Sequence, residues 1–202
     1  MNHSTRVVGS ICCAFALSCT TSPPSGGAAT AGRAESVSTA ASVPPSASSA
    51  APPTGVDPLT GKPAPDFTAP AQDGSTVHLG ALKGKTVVLY FYPKDETPGC
   101  TKEACSFRDA WESIVKTGAI LIGVSADTND SHQSFAAHYK LPFLLITDPD
   151  GSIGRTYGVP FKGHHKRQTF VIGPDGNVRK VYREVDVTVH AQQILGDLTA
   201  SN

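Results

Sequence analysis

Cys100 and Cys105 are spaced for thiol redox chemistry within the stretch Tyr90 to Arg108, Y-F-Y-P-K-D-E-T-P-G-C-T-K-E-A-C-S-F-R. An apolar run from Val87 to Tyr92 stops at Pro93, which cannot donate to a central sheet ladder. Thr97 followed by Pro98 is a helix start, threonine suiting the N-cap and proline the first helical position. Cys100 then falls in the first turn, among backbone N–H groups that have no intrahelical acceptor. Those amides and the helix dipole favour an anion, and the thiolate is the nucleophilic form of cysteine. Two core cysteines on a buried helix would fit the tendency of free cysteine to be buried. That alternative leaves the coincidence of cap, turn and second thiol unexplained.

Pro93, Thr97 and Cys100 stand in the pattern Pro-x-x-x-Thr-x-x-Cys, and the stretch resembles the active site of the peroxiredoxins. Cys105 narrows the resemblance to the bacterioferritin-comigratory-protein or PrxQ type. The run Y-P-K-D-E-T-P-G-C-T-K-E-A-C-S-F-R-D is similar to that subgroup almost without interruption. The resemblance implies a thiol-specific peroxidase acting on hydrogen peroxide and organic hydroperoxides. Cys100 would become a sulfenic acid and Cys105 would resolve it as an intramolecular disulfide, which thioredoxin or a similar dithiol reduces. Thr97 would place its hydroxyl beside the sulfur or the bound peroxide, besides any role as a plain N-cap. Pro93 would shape the loop and shield the sulfur. A fixed cation should complete the site. Sequence alone leaves Arg167, Lys166 and Arg108 open; the resemblance selects Arg167, and arginine suits the task because it stays charged and offers several donors in one plane. No cofactor is implied, and a monomer is expected.

Helical geometry constrains the resolving step. Five residues of α-helix turn through about 500° and rise about 7.5 Å, so the two side chains point roughly 140° apart. A disulfide needs Cα atoms within about 6.8 Å and facing Cβ atoms. Cys100 shares an apolar face with Ala104 and Phe107, whereas Cys105 groups with Thr101, Arg108, Asp109 and Glu112. The helix start around Pro98 to Phe107 must therefore unwind in each catalytic cycle.

The elements that position these residues are readable in outline. Phe67 to Ala69 and Ser75 to Leu79 flank the turn Asp73-Gly74 and form a hairpin. Thr86 to Tyr92 is apolar almost throughout, as a strand buried on both faces should be. Pro98 to Lys116 reads as one long helix, with Ala104, Phe107, Trp111, Ile114 and Val115 facing the sheet. Ala119 to Ser125 is a strand, Asp130 to Tyr139 a helix, Phe143 to Thr147 a strand and Ser152 to Tyr157 a short helix. Thr169 to Ile172 and Asn177 to Arg183 pair across Gly173-Pro174-Asp175-Gly176, and Val187 to Ala200 is a terminal helix. Strands alternating with helices give an α/β class. With the motif, this resembles a thioredoxin-like fold, a central mixed β-sheet flanked by helices, over residues 58–202.

The N-terminal part has another character. Val7 to Leu17 is mostly apolar, has the length of a signal-peptide core and is too short to span a bilayer as a helix. Residues 1–18 are expected to be a signal peptide. Phe15-Ala16-Leu17-Ser18-Cys19 resembles a bacterial lipobox, with Ala16 where that pattern has leucine, and makes Cys19 the candidate lipidated residue; ordinary secretion is the rival. Residues 19–57 are dominated by Ala, Ser, Thr, Pro and Gly, a composition that cannot bury enough apolar surface to offset ordering entropy. As a flexible tether they would span roughly 35 Å. The expected location is therefore outside the cytoplasm, anchored through Cys19 or soluble.

The 202-residue chain carries zero formal net charge, and without a basic run it lacks the electrostatic footprint of nucleic-acid binding. His164-His165 are read as a solvated loop and His132, His138 and His190 as surface helix residues, so no metal site is expected. Asp95 and Glu96 are read as loop charges. A disulfide oxidoreductase usually carries Cys-x-x-Cys, whereas four residues separate Cys100 and Cys105. A non-enzymatic redox sensor or a domain with a structural disulfide is the remaining class.

Overall fold

The structure is a computed structural model, and it describes residues 55–200. The segment 1–18 expected to be a signal peptide, Cys19, and the expected tether up to residue 54 lie outside the described residues.

The chain runs β1 (Thr68–Pro70), β2 (Thr76–His78), a 3₁₀ turn (Leu79–Leu82), β3 (Val87–Phe91), α1 (Pro98–Asp109), α2 (Trp111–Lys116), β4 (Ile120–Ser125), α3 (Asn129–Tyr139), β5 (Leu144–Thr147), α4 (Ser152–Thr156), β6 (Gln168–Ile172), β7 (Val178–Tyr182) and α5 (His190–Ala200). Five strands form one mixed sheet in the order β5-β4-β3-β6-β7, and β1 and β2 form a separate antiparallel hairpin. β3 pairs parallel to β4 and antiparallel to β6, with Phe91 opposite Val124 and Gln168.

β3 is buried at every position because both of its faces are covered. Successive side chains point to opposite faces. Val88, Tyr90 and Tyr92 join Cys100, Phe107, Ile114, Phe135 and Ile194 in the cluster beneath α1, α2, α3 and α5. Val87, Leu89 and Phe91 join Ala69, Val77, Tyr157 and Phe170 in a second cluster, under the hairpin and α4. The thioredoxin-like, mixed-sheet architecture expected from sequence is thus present.

Two element boundaries are corrected. The single helix expected from Pro98 to Lys116 is broken at Ala110, whose backbone sits at φ −87° and ψ −2°. The Ala110 carbonyl accepts from both Ser113 N and Ile114 N at 3.1 Å, so the chain makes one tight turn and restarts. The terminal helix begins at His190 rather than Val187. Asp186 accounts for the difference: its carboxylate accepts from Thr188 N at 2.9 Å and Thr188 Oγ1 at 2.7 Å, folding residues 186–189 into an Asx-type turn.

Candidate active site

The end of β3 and the start of α1 bring Cys100 beneath the sheet, into the core cluster with Tyr90 and Tyr92. Cys100 is 2% exposed. Thr97 holds the N-cap position and Pro98 the first turn, as their types predict. The Thr97 hydroxyl does not cap the helix, however; it donates to the Lys94 carbonyl at 2.9 Å. The loop from Pro93 to Thr97 is instead held through Glu96, at φ 59°, and Asp95. A positive φ on a non-glycine residue is uncommon and carries a backbone cost.

Arg167, immediately before β6, reaches the sulfur: its Nη2 donates to Cys100 Sγ at 3.0 Å. It passes Gly99, where an added Cβ would lie 3.6 Å from that nitrogen. Its Nη1 donates to Glu103 Oε2. Glu103 is buried, and Oε1 has no hydrogen-bond partner among the described residues. Burial raises the Glu103 carboxyl to about 7 against the downward pull of Arg167. His190 Nε2 lies 4.0 Å from Glu103 Oε1 and 2.9 Å from Thr169 Oγ1. Burial drives this imidazole down to about 4, so it is neutral near pH 7. Lys166 pairs with Glu184 instead, and Arg108 with Asp109 and the Tyr139 carbonyl.

Both cysteines are free thiols, Cys100 buried and Cys105 partly exposed. They lie on one unbroken helix, α1. The sequence argument about opposed faces therefore applies: the bond between them requires α1 to open.

Beside Arg167, a cavity of about 420 Å³ runs between Pro93 and Pro160 and past Lys162, His164 and Lys166. A second cleft of about 250 Å³, among Leu79, Leu82, Val87, Ile172 and Lys83, lies at the opposite end of β3 and β6 and contains no cysteine or histidine.

Sequence reasoning missed several buried polar groups. Asp95, read as a loop charge, is 4% exposed. It accepts from Tyr92 OH at 2.7 Å and Ser131 Oγ at 2.8 Å, and contacts His132 Nδ1 at 2.9 Å. Burial pushes its carboxyl up, but these partners hold it below the ordinary aspartate value. Its own N–H donates to Asp127 Oδ2. His132, His190 and His165, read as surface or loop residues, are fully buried; only His138 and His164 match that expectation. Glu103 carried a usable signal, because a residue three after Cys100 on a helix shares its face. No group of three metal-ligating side chains is present among the described residues.

The chain is similar to several known proteins. Residues 60–181 match the model of the AhpC/TSA family. The chain is 44% identical over 147 residues to a putative peroxiredoxin bcp of Coxiella burnetii, covering 68% of this chain and 97% of that protein. It is 50% identical over 125 residues to the chloroplastic peroxiredoxin Q of Triticum aestivum, covering 60% of this chain and 58% of the plant protein. Among solved structures it is similar to peroxidoxin BcpB from Mycobacterium tuberculosis, with TM-score 0.67, 36% identity and coverage of 71% of this chain and 98% of that one. It is also similar to the Xanthomonas campestris bacterioferritin comigratory protein, with TM-score 0.64, 34% identity and coverage of 67% and 91%.

Proposed function

Because the chain belongs to the AhpC/TSA family, among peroxiredoxins of the bacterioferritin comigratory protein and peroxiredoxin Q type, and is therefore a thiol peroxidase, we propose that Cys100 is its peroxidatic and Cys105 its resolving residue. The observation that carries the assignment is the 3.0 Å contact from Arg167 Nη2 to Cys100 Sγ.

In the first step the Cys100 thiolate attacks the distal oxygen of a hydroperoxide. The S–O bond forms as the O–O bond breaks, sulfur loses two electrons, and the alkoxide or hydroxide leaves and takes a proton. The Arg167 guanidinium offers donors where that negative charge moves. Thr97 holds the same loop through the bond from its hydroxyl to the Lys94 carbonyl, and Pro93 walls the cavity beside Arg167. The Cys105 thiolate then attacks the sulfenic sulfur, expelling hydroxide that is protonated to water, and the disulfide forms. A dithiol of thioredoxin type returns both cysteines to thiols. Organic hydroperoxides fit this reading, and the Xanthomonas protein is described with alkyl peroxide reduction activity.

Peroxide consumption coupled to thioredoxin oxidation tests it. Cys100→Ser should abolish turnover; turnover that survives this change would refute the assignment. Insulin reduction without peroxide turnover would favour a disulfide oxidoreductase.

Export, anchoring through Cys19 and a monomeric state belong to the same reading. The apolar segment Val7 to Leu17, the lipobox-like residues 15–19 and the Ala/Ser/Pro-rich tether support the first two. Intact-mass measurement of the protein extracted from membranes tests them: a lipidated N-terminal Cys19 is expected, and an unprocessed N-terminus contradicts it. The dithiol donor must then also act outside the cytoplasm.

A further inference from the structure

We propose that the buried pair His165–Asp148 is a positioning device for the active-site cation, locking the loop of residues 160–167 so that Arg167 meets Cys100. The proposal rests on the assignment of Arg167 above.

The loop leaves the core after Val159 and returns at Arg167. Its neck is tied by Lys166 N donating to Pro160 O at 2.9 Å, and inside it Lys162 N donates to His164 O at 3.0 Å. Phe161 and His165 form an isolated bridge. Of the eight residues from 160 to 167, His165 alone is buried. Its side chain is therefore the plug by which the excursion is seated, and Arg167 lies two residues beyond it.

The seat is built to fit an imidazole. The ring lies 5.2 Å from Phe91 and 5.0 Å from Phe161, centroid to centroid. Its floor is Gly154, where an added Cβ would come within 2.6 Å of ring atoms. His165 Nε2 lies 3.1 Å from Asp148 Oδ2. That carboxylate is itself fixed, accepting from Ile153 N at 3.1 Å, Gly154 N at 2.9 Å and Ser152 Oγ at 3.2 Å. Neither His165 ring nitrogen makes a hydrogen bond of regular geometry among the described residues, so Nε2 meets Asp148 Oδ2 as a close polar contact. Burying an imidazole with neither nitrogen in a regular hydrogen bond is costly, and an apolar plug would avoid that cost. What the imidazole adds over an apolar plug is a polar contact, Nε2 to Asp148 Oδ2 at 3.1 Å, which draws the ring toward Asp148 and with it the path of the chain into Arg167.

The test is a double-mutant cycle in the full-length chain, reading the second-order rate of Cys100 oxidation by hydrogen peroxide, with folding followed by circular dichroism. His165→Phe keeps an aromatic ring in the seat, though a larger one, and removes the Asp148 contact. It should slow Cys100 oxidation roughly tenfold with Arg167 present and by less than about twofold in the Arg167→Ala background, the signature of coupled sites. Equal losses in both backgrounds, or no loss with Arg167 present, would overturn the proposal. Should His165→Phe fail to fold, Asp148→Asn carried through the same cycle has the same expected pattern. If Arg167→Ala alone leaves the rate unchanged, the assignment of Arg167 fails, and this proposal fails with it.

Discussion

Arg167 bridges Cys100 and Glu103: one guanidinium nitrogen donates to the sulfur at 3.0 Å and the other to the buried carboxylate one turn along α1. A single planar side chain thus ties the nucleophile to an acid that burial holds near neutrality. Lysine cannot make both contacts from one rigid plane. Arg167→Lys should lower the rate of Cys100 oxidation by about 10²-fold, the effect of removing one preorganised donor. Stopped-flow oxidation with hydrogen peroxide checks it, and a change of less than about threefold would contradict a role for the guanidinium in charge stabilisation.

Glu103 and His190 set opposing pH dependences of stability. The Glu103 carboxyl is higher in the folded protein, at about 7, than its ordinary 4.5. Its contribution is present below 4.5 and lost as pH rises through 7. The His190 imidazole is lower when folded, at about 4, than its ordinary 6.5. Its contribution is present above 6.5 and lost as pH falls through 4, amounting to about 3 kcal/mol at most. In wild type the two slopes offset each other across this window. Glu103→Gln should therefore show stability rising more steeply from pH 4 to 6.5 than wild type, and His190→Phe should show it falling as pH rises from 4.5 to 7. Urea denaturation at stepped pH gives both slopes, and parallel curves for the three proteins would refute the account.

Asp95 fastens the active-site loop to α3. It contacts Tyr92, Ser131 and His132 from a position 4% exposed. Asp95→Ala leaves those three groups without their buried acceptor and should cost about 3 kcal/mol, as leaving buried polar partners unsatisfied does. The urea midpoint should fall and Cys100 oxidation should slow, because the loop carries Pro93 and Thr97. An unchanged midpoint would show that the network is incidental.

Forming the Cys100–Cys105 bond must open α1, since the two thiols stand on different faces of one helix. Backbone amides of residues 99–109 should exchange hydrogen faster in the oxidised protein than in the reduced one, with β3 and β6 unchanged. The turn at Ala110 gives the opening a natural limit, so α2 should keep its protection. Equal protection of α1 in both states would contradict the unfolding step.

Much of the site was legible because its signals are local. Pro93, Thr97, Pro98 and Cys100 lie within eight consecutive residues, and the unbroken apolar run of β3 marks a strand covered on both faces. The break at Ala110 was hidden because neither glycine nor proline marks it. Histidines 132, 165 and 190 looked like surface residues because a lone histidine carries no local sign of its partner. Asp95 meets His132 thirty-seven residues away, and only the fold brings them together. Glu103 could have been found from its helical spacing to Cys100, but a charge among Thr, Lys and Ser is easily read as solvated.

The most direct test is the intact mass of the reduced domain after one equivalent of hydrogen peroxide, in wild type and in Cys105→Ser. The account predicts that wild type loses two hydrogens and yields a peptide cross-linked between Cys100 and Cys105. Cys105→Ser should gain one oxygen on Cys100, trapped by dimedone as the sulfenic acid. An intramolecular disulfide that persists without Cys105, or oxygen added first to Cys105 in wild type, would contradict it.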